Sequence, residues 1–406
     1  MPATAADTTI SPDPVSAWCY RITRANESHE PRRLFDLLAA GPDDRSVPLS
    51  TASTCLNTLV PNDPSGDYLG ANNSTETTAW DSSARSFVDT ATKPTVSPRE
   101  ALRWARSHSS KAADLGGWSG RLLLDLYATD PIILTAFAAL ASTPPHRFHD
   151  LRARNAAYRL NSGVLLAREG KAPRPISAPS TFRKLASALD ARRARTAAAS
   201  YCEKRGQVGL SSPASLLCYS VYPRLVVAMG GSTVSADNTN SFQRFSRQGL
   251  LAGALAFLTD AAALEHPAAA CAAARLFDSC IFDSSTHMMH RTNLTTFRRF
   301  HLSCTSHGLS QGCSSSPTLE AITLATAPSS PSAHSLTLRR SAHDDFQATG
   351  LPGCTVESLA PPPPFGGSAY NHSKAVAVGP LAASIVVCRS CLHDRNILLC
   401  LRTPRR

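Results

Sequence analysis

Three aspartates form the most chemically specific arrangement in the chain. Asp237 ends the small-to-apolar run Val234-Ser235-Ala236-Asp237, and Asp344-Asp345 follow Ala342-His343 far downstream. A carboxylate at a strand end, beside a turn, is placed to hold a divalent cation through its oxygens. Two adjacent carboxylates among small residues repel each other unless a cation neutralises them. Taken singly, each segment also has an ordinary reading. The first can be an Asx turn followed by a core phenylalanine, Phe242, and the second an exposed turn.

Two more segments complete a fixed order. Leu165-Leu166-Ala167-Arg168-Glu169-Gly170-Lys171-Ala172-Pro173-Arg174-Pro175-Ile176 reads as a strand, a basic glycine-containing turn and a second strand. Cations at such a tip suit a triphosphate, for which arginine offers a planar donor fork. His307-Gly308-Leu309-Ser310-Gln311-Gly312-Cys313, with Ser314-Ser315-Ser316-Pro317 behind it, reads as a flexible loop entering a helix at Thr318. A loop of this kind lets backbone approach a base or phosphate closely. Basic hairpin, strand-end aspartate, glycine loop before a helix, and paired aspartates is the order of a template-dependent polymerase palm. The chemistry would be in-line attack of a primer 3′-hydroxyl on an α-phosphate, with two divalent ions clamping the attacking and leaving oxygens.

At these motifs the chain resembles the reverse transcriptases of non-LTR retrotransposons and group II introns, over roughly residues 115–379. Gly116-Gly117-Trp118-Ser119-Gly120 resembles the family's entry to the fingers, and Arg174-Pro175-Ile176 with Arg183-Lys184-Leu185 its fingers motifs. Gln207-Val208-Gly209 is similar to a Q-[FV]-G segment, and Asp237 to Phe242 with Ser246-Arg247 to "D…NAF" and "SR". Ser310-Gln311-Gly312-Cys313 resembles "QQGC", Ala342 to Asp345 stands where the family has "YADD", and Asn371-His372-Ser373-Lys374 resembles "N-P-x-K".

The resemblance implies Asp237 and Asp344 as metal ligands, with Asp345 a close auxiliary. It implies two Mg²⁺ ions as cofactor, Mn²⁺ being the alternative. Phe242 would exclude a ribose 2′-hydroxyl, Gln311-Gly312 would lie against the incoming nucleotide and template, Lys171 and Arg174 would hold its phosphates, and Lys374 would assist the departing pyrophosphate. The implied partners are an RNA template, a DNA primer and dNTPs. Ala342 and His343 depart from "YADD", a proline-rich run precedes Lys374, and little chain follows Gly379 for a thumb. These departures point to a truncated or decayed copy. A viral RNA-dependent RNA polymerase is the enzymatic alternative, disfavoured by the ring at Phe242, which cannot accept a hydrogen bond from the 2′-hydroxyl as a polar group does. An inactive remnant that binds nucleic acid is the non-enzymatic one.

The elements that must position these residues read as α/β or α+β, a right-hand polymerase with fingers and palm and a vestigial thumb. Residues 1–97 are rich in Ser, Thr, Pro, Asp and Asn and read as a mostly disordered leader, with helical character only from Arg32 to Leu38. Residues 98–225 read as fingers, 226–380 as palm and 381–406 as an irregular tail. Ser97-Pro98-Arg99-Glu100 has the form of a helix start. Leu122 to Leu140 is helical with a break at Asp130-Pro131, Phe148 to Leu160 helical, and Thr181 to Cys202 an Ala- and Arg-rich helix. Leu225 to Met229 and Thr233 to Ala236 read as strands, Leu250 to Phe277 as one or two buried helices, and the pattern deteriorates from Ala348.

The formal charge is +11, and residues 98–206 hold 19 Lys or Arg against 8 Asp or Glu, so this stretch accounts for the whole excess. A basic surface of this kind suits a phosphate backbone. The N-terminus has neither a basic region nor an apolar core, and no uncharged run reaches the ~18 residues needed to span a bilayer. An intracellular protein with reduced thiols and no membrane contact is therefore expected. Cys388-x-x-Cys391-x-His393 fits no common zinc spacing. Cys271, Cys280, Cys304 and Cys313 read as small core residues.

Overall fold

Helix α1 (Pro98–Ser107) starts on the signal written at Ser97. The Ser97 hydroxyl accepts from the Glu100 amide at 3.2 Å, and the Glu100 carboxylate accepts from the Ser97 amide at 3.0 Å. Two backbone donors that the first turn leaves over are thereby reciprocally satisfied. In the computed structural model the described residues are 23, 27, 96–142 (except 112 and 115), 160–168, 171–238, 242, 245–281, 286–291, 299–305, 308–309, 312–326, 337–343, 345–359, 370–371 and 374–383. Expectations for the rest of the leader, for the proline run and for the Cys388 cluster lie outside them, as does the run read as a helix from Phe148 to Leu160 except for Leu160 itself, which begins a strand.

Helices α2 (Gly120–Thr129) and α3 (Ile132–Ser142) break at Asp130-Pro131, where the Asp130 carboxylate accepts from the Ile132 amide at 2.9 Å. Helix α4 (Thr181–Glu203) joins two cores. Its first half contributes Leu185 and Leu189 to a cluster with Trp104, Leu123, Leu134 and Phe137. Its second half contributes Ala194, Ala197, Ala198 and Tyr201 to a larger cluster with Phe257, Phe277 and Ile322. That second core is rich in alanine, and small side chains let helix axes draw close. It is built with α6 (Arg247–Leu258), α8 (Pro267–Ile281) and α9 (Ser316–Ala325). The start of α4 is held by Asp114, whose carboxylate accepts from the Thr181 amide at 2.6 Å and from the Gly116 and Trp118 amides at 2.9 Å.

Helix α5 (Pro213–Ala228) overturns one expectation. The run from Leu225, read as a strand, continues a helix that Ser212 caps and Pro213 opens. A short apolar run fits strand and buried helix equally well, and here the upstream cap decides. Helix α7 (Ala261–Leu264) and α10 (Val356–Leu359) are single turns.

Among the described residues, eight strands form two four-stranded sheets. One has the order β2-β1-β4-β5, from β1 (Leu160–Arg168), β2 (Lys171–Ala178), β4 (Thr286–Arg291) and β5 (Arg299–Thr305). Strands β1 and β2 make the expected hairpin, and β4 pairs with β1 in parallel. The other has the order β6-β7-β3-β8, antiparallel throughout, from β3 (Ser232–Asp237), β6 (Thr337–Ala342), β7 (Asp345–Gly350) and β8 (Val376–Val378). Regular structure therefore persists past Ala348, through the end of β7, α10 and β8, where the sequence pattern reads as irregular. Val234 and Ala236 of β3 join Phe346 and Ala348 of β7 in a third cluster. The chain is thus a mixed helix-and-sheet protein, and among the described residues every strand pair but β1–β4 is antiparallel. No helix among the described residues is long and apolar enough to cross a membrane.

Candidate active site

The site is built where β3 and β7 end together. Their register sets Ala236 opposite Phe346 and Asp237 opposite Asp345. Directly opposed residues of an antiparallel pair share one face, with Cα atoms about 4.5–5.5 Å apart. Since Ala236 and Phe346 face the core cluster, strand alternation turns both aspartates to the other side. A cross-strand pair of like charges is destabilising, and Asp345 registers it. Its carboxyl is raised above its ordinary value by partial loss of solvent and then by the charge of Asp237, with Lys374 and His343 pulling the other way.

Lys374 reaches this pair through a short return of the chain. The Asn371 amide donates to the Asp237 carbonyl at 2.6 Å, and the Lys374 amide donates to the Asn371 carbonyl at 3.0 Å. The resulting turn lays the Lys374 ammonium on the Asp237 carboxylate. Helix α5 supplies a further brace, its Tyr219 hydroxyl donating to the Asp345 carbonyl at 3.0 Å.

The turn between β6 and β7 carries His343 and Asp344. His343 has φ +52°, the only non-glycine residue with positive φ among those described. Gln207, fully buried, holds it from both sides: the His343 amide donates to Oε1 at 2.8 Å, and Nε2 donates to the His343 carbonyl at 3.0 Å. The His343 ring lies with Nδ1 3.6 Å from Oε2 of Glu320, a fully buried residue of α9. Burial lowers the pKa of that imidazole, against a backbone contact to Gly209 and the charge of Asp345. Gln207, His343 and Glu320 have no role among the motifs of the sequence. Gln207 stands inside the Q-V-G segment, so its position is visible there and its partner is not.

The glycine loop is tied to the same region by its backbone. The Gly308 amide donates to the Phe245 carbonyl at 2.7 Å, and the Leu309 amide to the Phe242 carbonyl at 2.5 Å. The Phe242 ring is half-buried and packs against the larger core. Gly312 is exposed in a turn, and Cys313 is buried with Sγ 3.0 Å from the Ser315 hydroxyl. Cys271 is only partly buried.

Asp237, Asp345 and Lys374 are therefore brought together, and Phe242 is linked to the glycine loop. Lys171 stands opposite Arg168 at the hairpin tip and Arg174 opposite Leu166, on the other sheet; their side chains, with Asp344 and Gln311, lie outside the described residues. Two facing carboxylates, one with its proton affinity raised by the other, are a donor set that suits a hard divalent cation. No group of three acidic, histidine or cysteine ligands gathers among the described residues.

No protein-family model matches the chain, and no curated protein matches it in sequence. Among solved structures it is similar to apo telomerase from Candida tropicalis truncated from its C-terminal domain, at 13% identity and a TM-score of 0.38 over 54% of this chain and 50% of that one. It is also similar to telomerase from Candida albicans in complex with a TWJ fragment of telomeric RNA, at 11% identity and a TM-score of 0.33 over 93% of this chain and 73% of that one. The chain thus spans half the length of the first of these structures, and at such scores neither likeness carries a fold or an activity to it.

Proposed function

We propose that the chain is a retroelement reverse transcriptase that extends a DNA primer on an RNA template, with the β6-β7-β3-β8 sheet as its palm and the β1–β2 hairpin in its fingers. The observation that supports this reading above the others is the register of Asp237 against Asp345, on one face at one end of the sheet. Asp237, Asp344 and Asp345 would hold two Mg²⁺ ions, whose chemistry when bound would be to neutralise charge on the attacking and leaving oxygens. The aspartates align the reacting ends by fixing where those oxygens sit, so positioning and charge complementarity do most of the work. Lys374, an exposed ammonium on a long stem beside Asp237, is placed to exchange that carboxylate for a phosphate oxygen. Phe242 would close the sugar pocket against a 2′-hydroxyl, and Gln311 and Gly312 would lie along the nucleotide. Lys171 and Arg174 would meet its phosphates from the hairpin.

One observation favours a second reading, a remnant that binds RNA without catalysis. Lys374 already neutralises Asp237, which weakens the electrostatic need for a metal at that oxygen. Primer extension on an RNA template with Mg²⁺, comparing dNTPs with rNTPs, separates the two. Extension with dNTPs that is lost in Asp237→Asn supports the polymerase. Folded protein that binds RNA and extends nothing overturns it in favour of the remnant.

A further inference from the structure

Gln207 lies far from β7 in sequence and outside every motif role named above, yet it makes the hydrogen bonds that shape the aspartate turn. We propose that Gln207 is the positioning residue of the site, fixing the turn after β6 so that Asp345 meets Asp237 at a cation-binding separation. The inference rests on the polymerase reading for its consequence and on geometry for its substance.

The segment 206–209 runs beside the end of β6. The Val208 amide donates to the Ser341 carbonyl at 2.6 Å, and the Ser341 amide donates to the Gly206 carbonyl at 2.8 Å. This pairing carries the Gln207 side chain one step past the strand end, to His343. There its single amide group engages both the N–H and the C=O of one residue, and its Oε1 also accepts from the Gly209 amide at 3.0 Å. Full burial keeps water from competing for these bonds, and loss of the amide would leave several backbone groups without partners.

The approach is close enough to need glycine on both sides. A Cβ at Gly206, where φ is +76°, would stand 2.8 Å from the Arg339 carbonyl oxygen. One at Gly209 would stand 2.8 Å from the His343 nitrogen and 2.9 Å from its ring. The residue so clamped is the one held at φ +52°, a conformation that persists only where its surroundings over-determine it. Beyond it, Asp344 is the single residue between the clamp and the β7 ladder, which begins at Asp345. With the His343 carbonyl held by Gln207 and Asp345 held by pairing with β3 and β6, the turn has little freedom to reorient the Asp345 carboxylate.

The test uses the full chain with Mn²⁺ as probe, by isothermal titration and by electron paramagnetic resonance. The variants are wild type, Asp237→Asn, Gln207→Ala and Phe257→Leu, the last a distant core change that lowers the unfolding midpoint without touching the sheet end. Backbone amide exchange across residues 341–346 is measured in the same proteins without metal. Gln207→Ala is expected to weaken Mn²⁺ binding by about 10–100-fold, the size typical when a group that orients metal ligands is removed, and to speed exchange at 343–346 at least tenfold. Phe257→Leu should change neither. Wild-type Mn²⁺ affinity in Gln207→Ala, in protein that still loses affinity on Asp237→Asn, overturns the proposal. So does unchanged exchange at 343–346, whatever the metal does. If Asp237→Asn binds Mn²⁺ as wild type does, the polymerase reading falls, and the exchange data alone then decide whether Gln207 fixes the turn.

Discussion

Asp190 lies between α4 and α8 with two Arg275 nitrogens on it, at 2.6 and 3.0 Å, and the Glu100 carboxylate is met by Arg193 at 3.1 Å and by the amide and hydroxyl of its own cap serine, Ser97, both at 3.0 Å. Asp237, at the end of β3, instead faces a second carboxylate across the ladder and is answered by one exposed lysine. The contrast extends to proton affinity. Burial raises the Glu100 carboxyl, but bonds from Ser97 and the charge of Arg193 outweigh it and leave the group below its ordinary value. The Asp345 carboxyl is held above. Carboxylates that serve the scaffold are each given a partner, whereas those at the sheet end are set against each other. Crowded like charges of that kind are common at functional sites, where a fold tolerates the repulsion for what the pair can bind, and this is the ground for proposing one at the sheet end.

The sharpest way to break this comparison is to neutralise one member of each kind. Asp237→Asn or Asp345→Asn should reduce primer extension at least ~10³-fold, equivalent to about 4 kcal/mol of barrier, while thermal melts show no loss of stability. Arg275→Ala should do the reverse. It leaves Asp190 only the longer contact to Arg193 at 3.7 Å and costs on the order of 3 kcal/mol of unfolding free energy in a denaturant titration, with Mn²⁺ affinity unchanged. A smaller effect belongs to the basic hairpin. Lys171→Ala with Arg174→Ala should lower RNA affinity and flatten its salt dependence by roughly 0.7 log units for each phosphate no longer neutralised, measured by fluorescence anisotropy. A slope equal to that of wild type would remove the hairpin from the phosphate path.

The smallest effects are in pH, and they should have opposite signs. Asp345, with its folded value raised, contributes stability that is present below the ordinary carboxylate value and lost as pH rises through the folded one. Asp345→Asn should therefore match or exceed wild type in stability at neutral pH and lose that advantage in acid. Glu100, with its folded value lowered, contributes stability above the ordinary value that is lost as pH falls through the folded one. Glu100→Gln should be less stable than wild type at neutral pH and converge with it in acid. Thermal melts of both pairs from roughly pH 3 to 7 check the two signs together.

Local signals were legible in the sequence, and pairing was not. The capping box at Ser97, the break at Asp130-Pro131 and the strand ending at Asp237 each depend on residues within a few positions, and each stands in the structure. Strand β6, Thr-Leu-Arg-Arg-Ser-Ala, has too little apolar alternation to announce itself, and it exists because β7 pairs with it residue for residue. Strand β8 is three residues long and is defined only by β3. The aspartates were found by type and order, but that Asp345 is the residue opposite Asp237 is a statement of register, which only the ladder supplies. The same holds for Gln207, whose partner lies 136 positions away.

The parallel pairing of β1 with β4 has a consequence for how the chain is made. Along the chain the two sheets alternate: β1 and β2 belong to one, β3 to the other, β4 and β5 to the first again, and β6 to β8 to the second. On a ribosome, therefore, the basic hairpin emerges long before its neighbour β4, and β3 waits for β7 until almost the whole middle of the protein has been synthesised. Neither sheet can be completed by any contiguous fragment that omits the other's strands, so cutting the chain between β3 and β4, near residue 260, divides both sheets and should yield two pieces that fold only when supplied together.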